Sequence, residues 1–218
     1  RMKPGKTPGI DGVTKEEYGK NLEENLKALS EKLARMGYRP PPAKRKYIKK
    51  KGSTKKRKLG LPCFESKLVE RALKEVLEQV YEPYFTNSSY GYRPGRRHHQ
   101  ALDAVGRCIQ QRKISYVVDA DIKGFFDHLN HEILMNFLEH RIGDPRILRL
   151  ITRFLKSGIM EDGLVHPTLE GTPQGGVLSP LLSNIYLHYV LDLWFEKRVT
   201  VHTRGEAHHF RFADDFVG

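Results

Sequence analysis

The sequence predicts an α+β fold, on three observations. Apolar residues recur at helical spacing in several separate stretches, the longest of them residues 14–36. A β-rich run, Ser115-Tyr116-Val117-Val118-Asp119-Ala120-Asp121-Ile122, ends in carboxylates. The last segment, 208–218, reads as a strand, a turn at Asp214-Asp215 and the start of a returning strand. An antiparallel sheet backed by helices follows from the three together.

Each element has a local cause. Thr7-Pro8-Gly9-Ile10-Asp11-Gly12 supplies turn chemistry, and Thr14 with Glu17 makes a capping box. Tyr18, Leu22, Leu26, Leu29, Leu33 and Met36 then continue one helix to Gly37, which Pro40-Pro41-Pro42 cannot extend. Residues 43–61 read as a basic β-hairpin turning near Gly52-Ser53. Pro62 and Glu65 open a helix with the apolar face Leu68, Val69, Leu73, Val76, Leu77 and Val80, and the loop 86–97 precedes a helix carrying Leu102, Val105 and Ile109. The carboxylate-ended strand is predicted over 115–122, helices over 131–141 and 145–157, and a short pair of strands within 159–170. Ser179-Pro180 places an N-cap before a first-turn proline, and Leu182, Ile185, Tyr189, Leu193 and Trp194 carry that helix toward Lys197.

Charge narrows the partners. Lys and Arg number 38 against 26 acidic residues, a net +12 over 218 residues, which favours a polyanion. No apolar run approaches the roughly 20 residues that span a bilayer, and no signal pattern is evident, so nucleic acid is expected rather than a membrane. Cys63 and Cys108 lack metal-ligand spacing and read as reduced thiols of a cytosolic protein.

Two acidic clusters carry the chemistry. Asp121 ends a strand before Phe125-Phe126-Asp127, and Asp214-Asp215 sits within Phe210-Arg211-Phe212-Ala213-Asp214-Asp215-Phe216-Val217. Alone, the first is as readily a strand-end cap, and the second is more often a hairpin turn. Carboxylates among strand-forming apolar residues are costly unless something compensates, and paired divalent cations would do so. Only folding can bring the clusters together.

Three motifs give a specific resemblance. Asp121-Ile122-Lys123-Gly124-Phe125-Phe126-Asp127-His128 resembles the first palm motif of reverse transcriptases, and Phe212-Ala213-Asp214-Asp215 resembles their aspartate box. Gly171-Thr172-Pro173-Gln174-Gly175-Gly176-Val177-Leu178-Ser179-Pro180 is similar to the Pro-Gln-Gly motif of the nucleotide pocket, and the order of the three is the family's. Thr7-Pro8-Gly9-Ile10-Asp11-Gly12 and Ser89-Tyr90-Gly91-Tyr92-Arg93-Pro94-Gly95-Arg96 resemble segments of the group II intron type. The resemblance implies the fingers (1–114) and palm (115–218) of a right-hand polymerase, ending after the aspartate box with the thumb absent.

The resemblance also implies roles. Asp121, Asp214 and Asp215 match the ligands of two Mg²⁺ ions, which Mn²⁺ can replace, with Asp119 behind them and Asp127 fixing the turn. Phe126 matches the steric gate that selects dNTP, one of Phe125 and Phe126 being core. Arg57 and Lys51 match the triphosphate grip, although Lys58 stands where the family has proline, and Lys55 or Lys56 can substitute for Lys51. Gln174 and Gly175 match nucleotide contacts. Arg93, Arg96 and Arg97 are expected on phosphate backbone, and the paired histidines at 98–99 and 208–209 at the surface or on RNA. The implied activity is RNA-directed DNA polymerisation with RNA template, DNA primer, dNTP and intron RNA as partners, in the bacterial cytoplasm on a nucleoid or ribonucleoprotein. The alternatives are an RNA-binding maturase scaffold and a diverged defence- or CRISPR-associated relative. The fingers are where a dimer contact would fall.

Overall fold

Thr14 Oγ accepts the Glu17 amide at 3.2 Å, while the Glu17 carboxylate accepts the Thr14 amide at 2.7 Å, so the first helix starts on the expected capping box. The structure, a computed structural model, describes residues 7–49, 52, 54, 56–172 and 175–218. In chain order its elements are α1 (Lys15–Lys20), α2 (Leu22–Ala34), β1 (Ala43–Lys49), β2 (Lys56–Leu61), α3 (Phe64–Tyr81), α4 (His98–Gln111), β3 (Asp119–Asp121), α5 (Phe125–His128), α6 (His131–Glu139), α7 (Pro145–Leu155), β4 (Ile159–Glu161), β5 (Leu164–His166), α8 (Ser179–Leu187), β6 (Phe210–Phe212) and β7 (Asp215–Val217). They fall into two units, one of residues 1–75 and 126–179, the other of 76–125 and 180–218. Each unit therefore draws on both sides of the expected 114/115 boundary. No helix among the described residues is long and apolar enough to cross a membrane.

The first unit is built on a four-stranded sheet ordered β2-β1-β4-β5. The hairpin β1–β2 is antiparallel, and β1 also pairs in parallel with β4 through Ala43↔Ile159. Its core gathers Leu29, Tyr38, Val69, Leu134, Leu138, Ile151, Phe154 and Leu155. Asn130 and Asp144 cap α6 and α7. From α7, Arg153 donates to the Met36 and Tyr38 carbonyls at 2.6 and 2.8 Å, which closes the exit from α2. The helix expected over 14–36 is broken at Asn21 (φ −122°, ψ 47°). There the Asn25 side-chain amide donates to the Tyr18 carbonyl at 2.9 Å, and Tyr18 is buried against Phe64. A side-chain donor replaces a helical bond, and the helix turns.

The second unit carries a three-stranded antiparallel sheet, as the sequence predicts, and its order is β3-β7-β6. The expected strand 115–122 shrinks to Asp119–Asp121, although Val118 still exchanges backbone hydrogen bonds with Gly218 at 2.8 and 2.9 Å. Tyr116 is 88% exposed, so β propensity there is not matched by burial. α8 carries no charged residue and is nearly all buried, with Leu181, Leu182, Ile185 and Leu187 in the core beside the buried polar Ser183 and Asn184. The expected continuation toward Lys197 does not stay α-helical: π-helical turns follow at His188–Asp192 and Phe195–Val199. The first buries His188 and Asp192. The loop before α4 is zipped to β6, with the Arg211 amide donating to Ser88 and the Tyr90 amide to Arg211.

Candidate active site

The sheet of the second unit brings the predicted carboxylates together. Across its ladder Asp121 stands opposite Asp215, and Asp215 opposite Phe212. Directly opposed residues share a face and lie about 5 Å apart at Cα, so the Asp121 and Asp215 side chains are neighbours. Asp119, two residues earlier on β3, points to that face as well. Phe212 and Asp215 are joined through Ala213 and Asp214, so the turn sits one residue earlier than expected. Ala213 takes φ 61°, a left-handed conformation that costs about 1–2 kcal/mol for a residue with a Cβ.

Asp119, Asp121 and Asp215 are exposed and Asp214 half-buried, and none forms an ion pair with a lysine, arginine or histidine among the described residues. The Asp215 carboxyl is held above its ordinary range, first by lost hydration and then by the charges of Asp214, Asp121 and Asp119. These are the features of a site for a hard divalent cation: oxygen donors, uncompensated negative charge and open access. Among the described residues no three side chains already converge into a complete cage.

The opposite face of this sheet holds groups the sequence reading missed. Arg211, opposite Phe216 and fully buried, forms a two-pronged ion pair with buried Asp192 at 2.7 and 2.6 Å. It also donates to the Ala213 carbonyl at 2.9 Å. Gly91 packs so tightly on the turn that a Cβ there would lie 2.3 Å from the Ala213 nitrogen. The signal was present in Asp192, a lone acid within an apolar helical run.

The first unit holds the residues matched to nucleotide binding. Arg57 lies exposed on β2 without an ion-pair partner among the described residues, whereas Lys51 and Gln174 lie outside the described residues. Gly175 has φ 115°, and a Cβ on it would sit 2.5 Å from the Gly60 carbonyl, so only glycine lets this loop approach the base of the basic hairpin. Of the two adjacent phenylalanines Phe125 is the core residue, at 6% exposure. Phe126 is half-buried and lines a cavity of about 480 Å³ with Lys58, Asp127 and His128. Its carbonyl accepts the Thr172 amide at 2.7 Å, which ties the first motif to the start of the second. Glu70, on the apolar stripe of α3 with Leu73, is buried and accepts the Val177 and Leu178 amides. Burial pushes its carboxyl up to about 7 against the lowering effect of those amides.

Two expectations about basic residues need correction. Arg93 is buried at 7% exposure, with its guanidinium on the Glu82 carboxylate at 2.8 Å, on the Thr86 and Ser89 carbonyls and over the Phe85 ring. It braces the loop from inside, with its guanidinium donating to Glu82, Thr86 and Ser89. Arg96 is committed to Asn87 and Tyr90, and Arg97 is exposed at the start of α4. His209 is likewise buried, stacked on Phe195 at 4.9 Å, and burial lowers its pKa.

Comparison with known proteins defines the class. The family described as reverse transcriptase (RNA-dependent DNA polymerase) matches residues 48–217, and the chain belongs to that family. It is of the group II intron type. The chain is 43% identical to the group II intron-encoded protein LtrA of Lactococcus lactis subsp. cremoris, over 78% of this chain and 29% of the relative. It is 38% identical to protein YkfC of Escherichia coli (strain K12), over 97% of this chain and 62% of that protein. The chain thus spans less than two thirds of either relative. Among solved structures it is similar to a chain of a partial Cas6-RT-Cas1–Cas2 complex, with TM-score 0.55 and 26% identity over 92% of this chain and 33% of that one. The telomerase of Candida albicans, at TM-score 0.53 and 15% identity over 92% of this chain and 41% of that one, shares the fold.

Proposed function

We propose that this chain carries the catalytic carboxylates and part of the nucleotide-binding surface of an RNA-directed DNA polymerase that adds dNTPs to a primer 3′-hydroxyl. The observation that carries the reading is the register that sets Asp121 opposite Asp215, beside the turn holding Asp214. On this reading the three-stranded sheet belongs to the palm and the basic hairpin β1–β2 to the fingers. Asp121, Asp214 and Asp215 are the ligands of two divalent ions, Mg²⁺ or Mn²⁺, with Asp119 behind them. When bound, such ions would activate the 3′-hydroxyl and neutralise the leaving pyrophosphate. Arg57 grips the triphosphate in the forked geometry that suits phosphate, with Lys51 as a point charge. Phe126 presents a ring at a cavity wall and excludes a 2′-hydroxyl, while Gly175 and Gln174 lie along the nucleotide. Arg97, and the donors that Arg96 does not give to Asn87, are left to contact phosphate backbone. RNA template, DNA primer and intron RNA are the partners.

Primer extension by the full-length protein on an RNA template, with and without Asp214→Asn, tests the reading. Extension is expected to fall by roughly 10²–10³-fold or more while RNA affinity stays unchanged. Undiminished extension by Asp214→Asn would overturn it, and loss of RNA binding alongside would point to a scaffold role instead.

A further inference from the structure

Arg211 uses every donor it has. Its Nε and one Nη2 hydrogen go to the two oxygens of Asp192 at 2.7 and 2.6 Å, and the other Nη2 hydrogen to Ser89 Oγ at 2.8 Å. The two Nη1 hydrogens go to Asn184 Oδ1 at 3.0 Å and the Ala213 carbonyl at 2.9 Å. Five donors therefore meet five acceptors, in a side chain with no solvent exposure. Asn184 relays the arrangement, donating its amide to the Gly91 carbonyl at 2.7 Å, and Gly91 is the residue packed against the Ala213 nitrogen. Both flanks of the strained Ala213 thus end on one buried cluster.

A buried ion pair is a poor source of stability, since desolvation cancels most of its attraction and apolar replacements often serve as well. What a saturated guanidinium supplies is direction. Its planar fork fixes where the Ala213 carbonyl points, and the next two residues are Asp214 and Asp215. A lysine would keep the charge but offers neither the plane nor five donors. Asp121 and Asp119 lie on β3, outside this turn, whereas Asp214 is in the turn and Asp215 is the first residue after it.

We propose that Arg211, held by Asp192 and Asn184, is a positioning residue that sets the backbone from which Asp214 and Asp215 are presented, so that divalent-ion binding at the hairpin tip depends on this buried cluster. The proposal rests on the reading of those aspartates as ion ligands.

The test compares the parent protein with Arg211→Lys, and with Leu187→Ala as a control that removes packing from the same unit. Backbone amide resonances near 121 and 214–216 are followed during titration with Mn²⁺ alone, and amide hydrogen exchange of 213–216 is measured without metal. Arg211→Lys is expected to need about ten-fold more Mn²⁺ for equal broadening, the usual scale for groups that orient metal ligands, and to exchange those amides faster. Leu187→Ala is expected to lower the unfolding temperature and leave the Mn²⁺ response in place. Equal Mn²⁺ response in parent and Arg211→Lys overturns the proposal while leaving the ion-site reading intact. Equal losses in both variants overturn it too, because general loosening would then suffice. Absence of broadening in the parent removes the ion site itself, and the proposal with it. Should Arg211→Lys not fold, Asn184→Ala decides: it keeps the ion pair but removes the relay, and an unchanged Mn²⁺ response there counts against the proposal.

Discussion

The two hairpins of this protein carry opposite charge and are held by opposite means. In β1–β2 the register sets Ile48 against Arg57 and Lys49 directly against Lys56, on strands whose ends are exposed. Like charges facing across a ladder cost a few tenths of a kcal/mol and add nothing to folding. In β6–β7 the acidic groups also repel one another, but the turn beneath them is fixed by Arg211, Asp192 and Gly91. The basic hairpin offers solvated charge that a polyanion can collect. The acidic one offers geometry, and its charge is useful only where the backbone puts it.

If that contrast is right, backbone changes should injure the acidic hairpin most. Gly91→Ala places a Cβ 2.3 Å from the Ala213 nitrogen and should destabilise the protein by about 3 kcal/mol, read as a shift in urea midpoint. A midpoint equal to the parent's would mean that the turn yields easily and the contrast is false. On the basic hairpin the corresponding change is functional. Arg57→Ala should leave stability within about 0.5 kcal/mol and raise the KM for dNTP roughly 10–100-fold, the scale of a lost charged hydrogen bond. Steady-state kinetics of the full-length protein would check it, and a normal KM would leave Arg57 as solvated surface only.

Phe126 sharpens the comparison between a side chain that shapes a cavity and one that fills the core. Phe126→Ala should reduce the preference for dNTP over rNTP with little loss of stability, whereas Phe125→Ala should cost about 3–5 kcal/mol. Unaltered selectivity in Phe126→Ala would remove it from the sugar pocket.

The last expected effect is a pH dependence set by the buried Glu70 carboxylate, whose burial the Val177 and Leu178 amides and the Lys67 charge offset only in part. Glu70 titrates near 7 when folded and near 4.5 when unfolded, so the folded state binds its proton more tightly. Its contribution is complete below about 4.5 and is lost as pH rises through about 7, with a slope of at most about 1.4 kcal/mol per pH unit. Urea unfolding from pH 5 to 8 should show this decline in the parent and a flatter profile in Glu70→Gln. Parallel profiles would mean that Glu70 is ionised throughout.

Much of this was legible beforehand, for identifiable reasons. Capping at Thr14, the apolar stripe of α3 and the strand–turn–strand around Asp214 are local signals, and local signals survive folding. That Asp121 stands opposite Asp215 was not legible in spacing, because 93 positions separate Asp121 from Asp214 and only the β3–β7 register sets the strands side by side. The helix break at Asn21 depends on a side-chain bond to Tyr18 and has no periodic signature. Arg93 and Arg211 were misjudged or overlooked for one reason. An arginine reads as a surface cation until its acid is known: Asp192 hinted at itself as a lone acid in an apolar run, but its pairing with Arg211, like that of Glu82 with Arg93, is visible only in three dimensions. The stretch before Asp119 erred the other way, β-branched yet exposed.

The parallel pairing of Ala43 with Ile159 bears on how the chain is made. On the ribosome β1 and β2 can zip together early, but β1 keeps an open edge until β4 emerges, more than a hundred residues later. At about 5–20 residues per second that interval is several seconds or longer. During it a strand lined with Lys44, Arg45, Lys46 and Lys49 is exposed beside other nascent chains. Mutual repulsion among those cations is the nascent hairpin's protection against edge-to-edge association, and acidic replacements that balanced them would be expected to lower the yield of soluble protein.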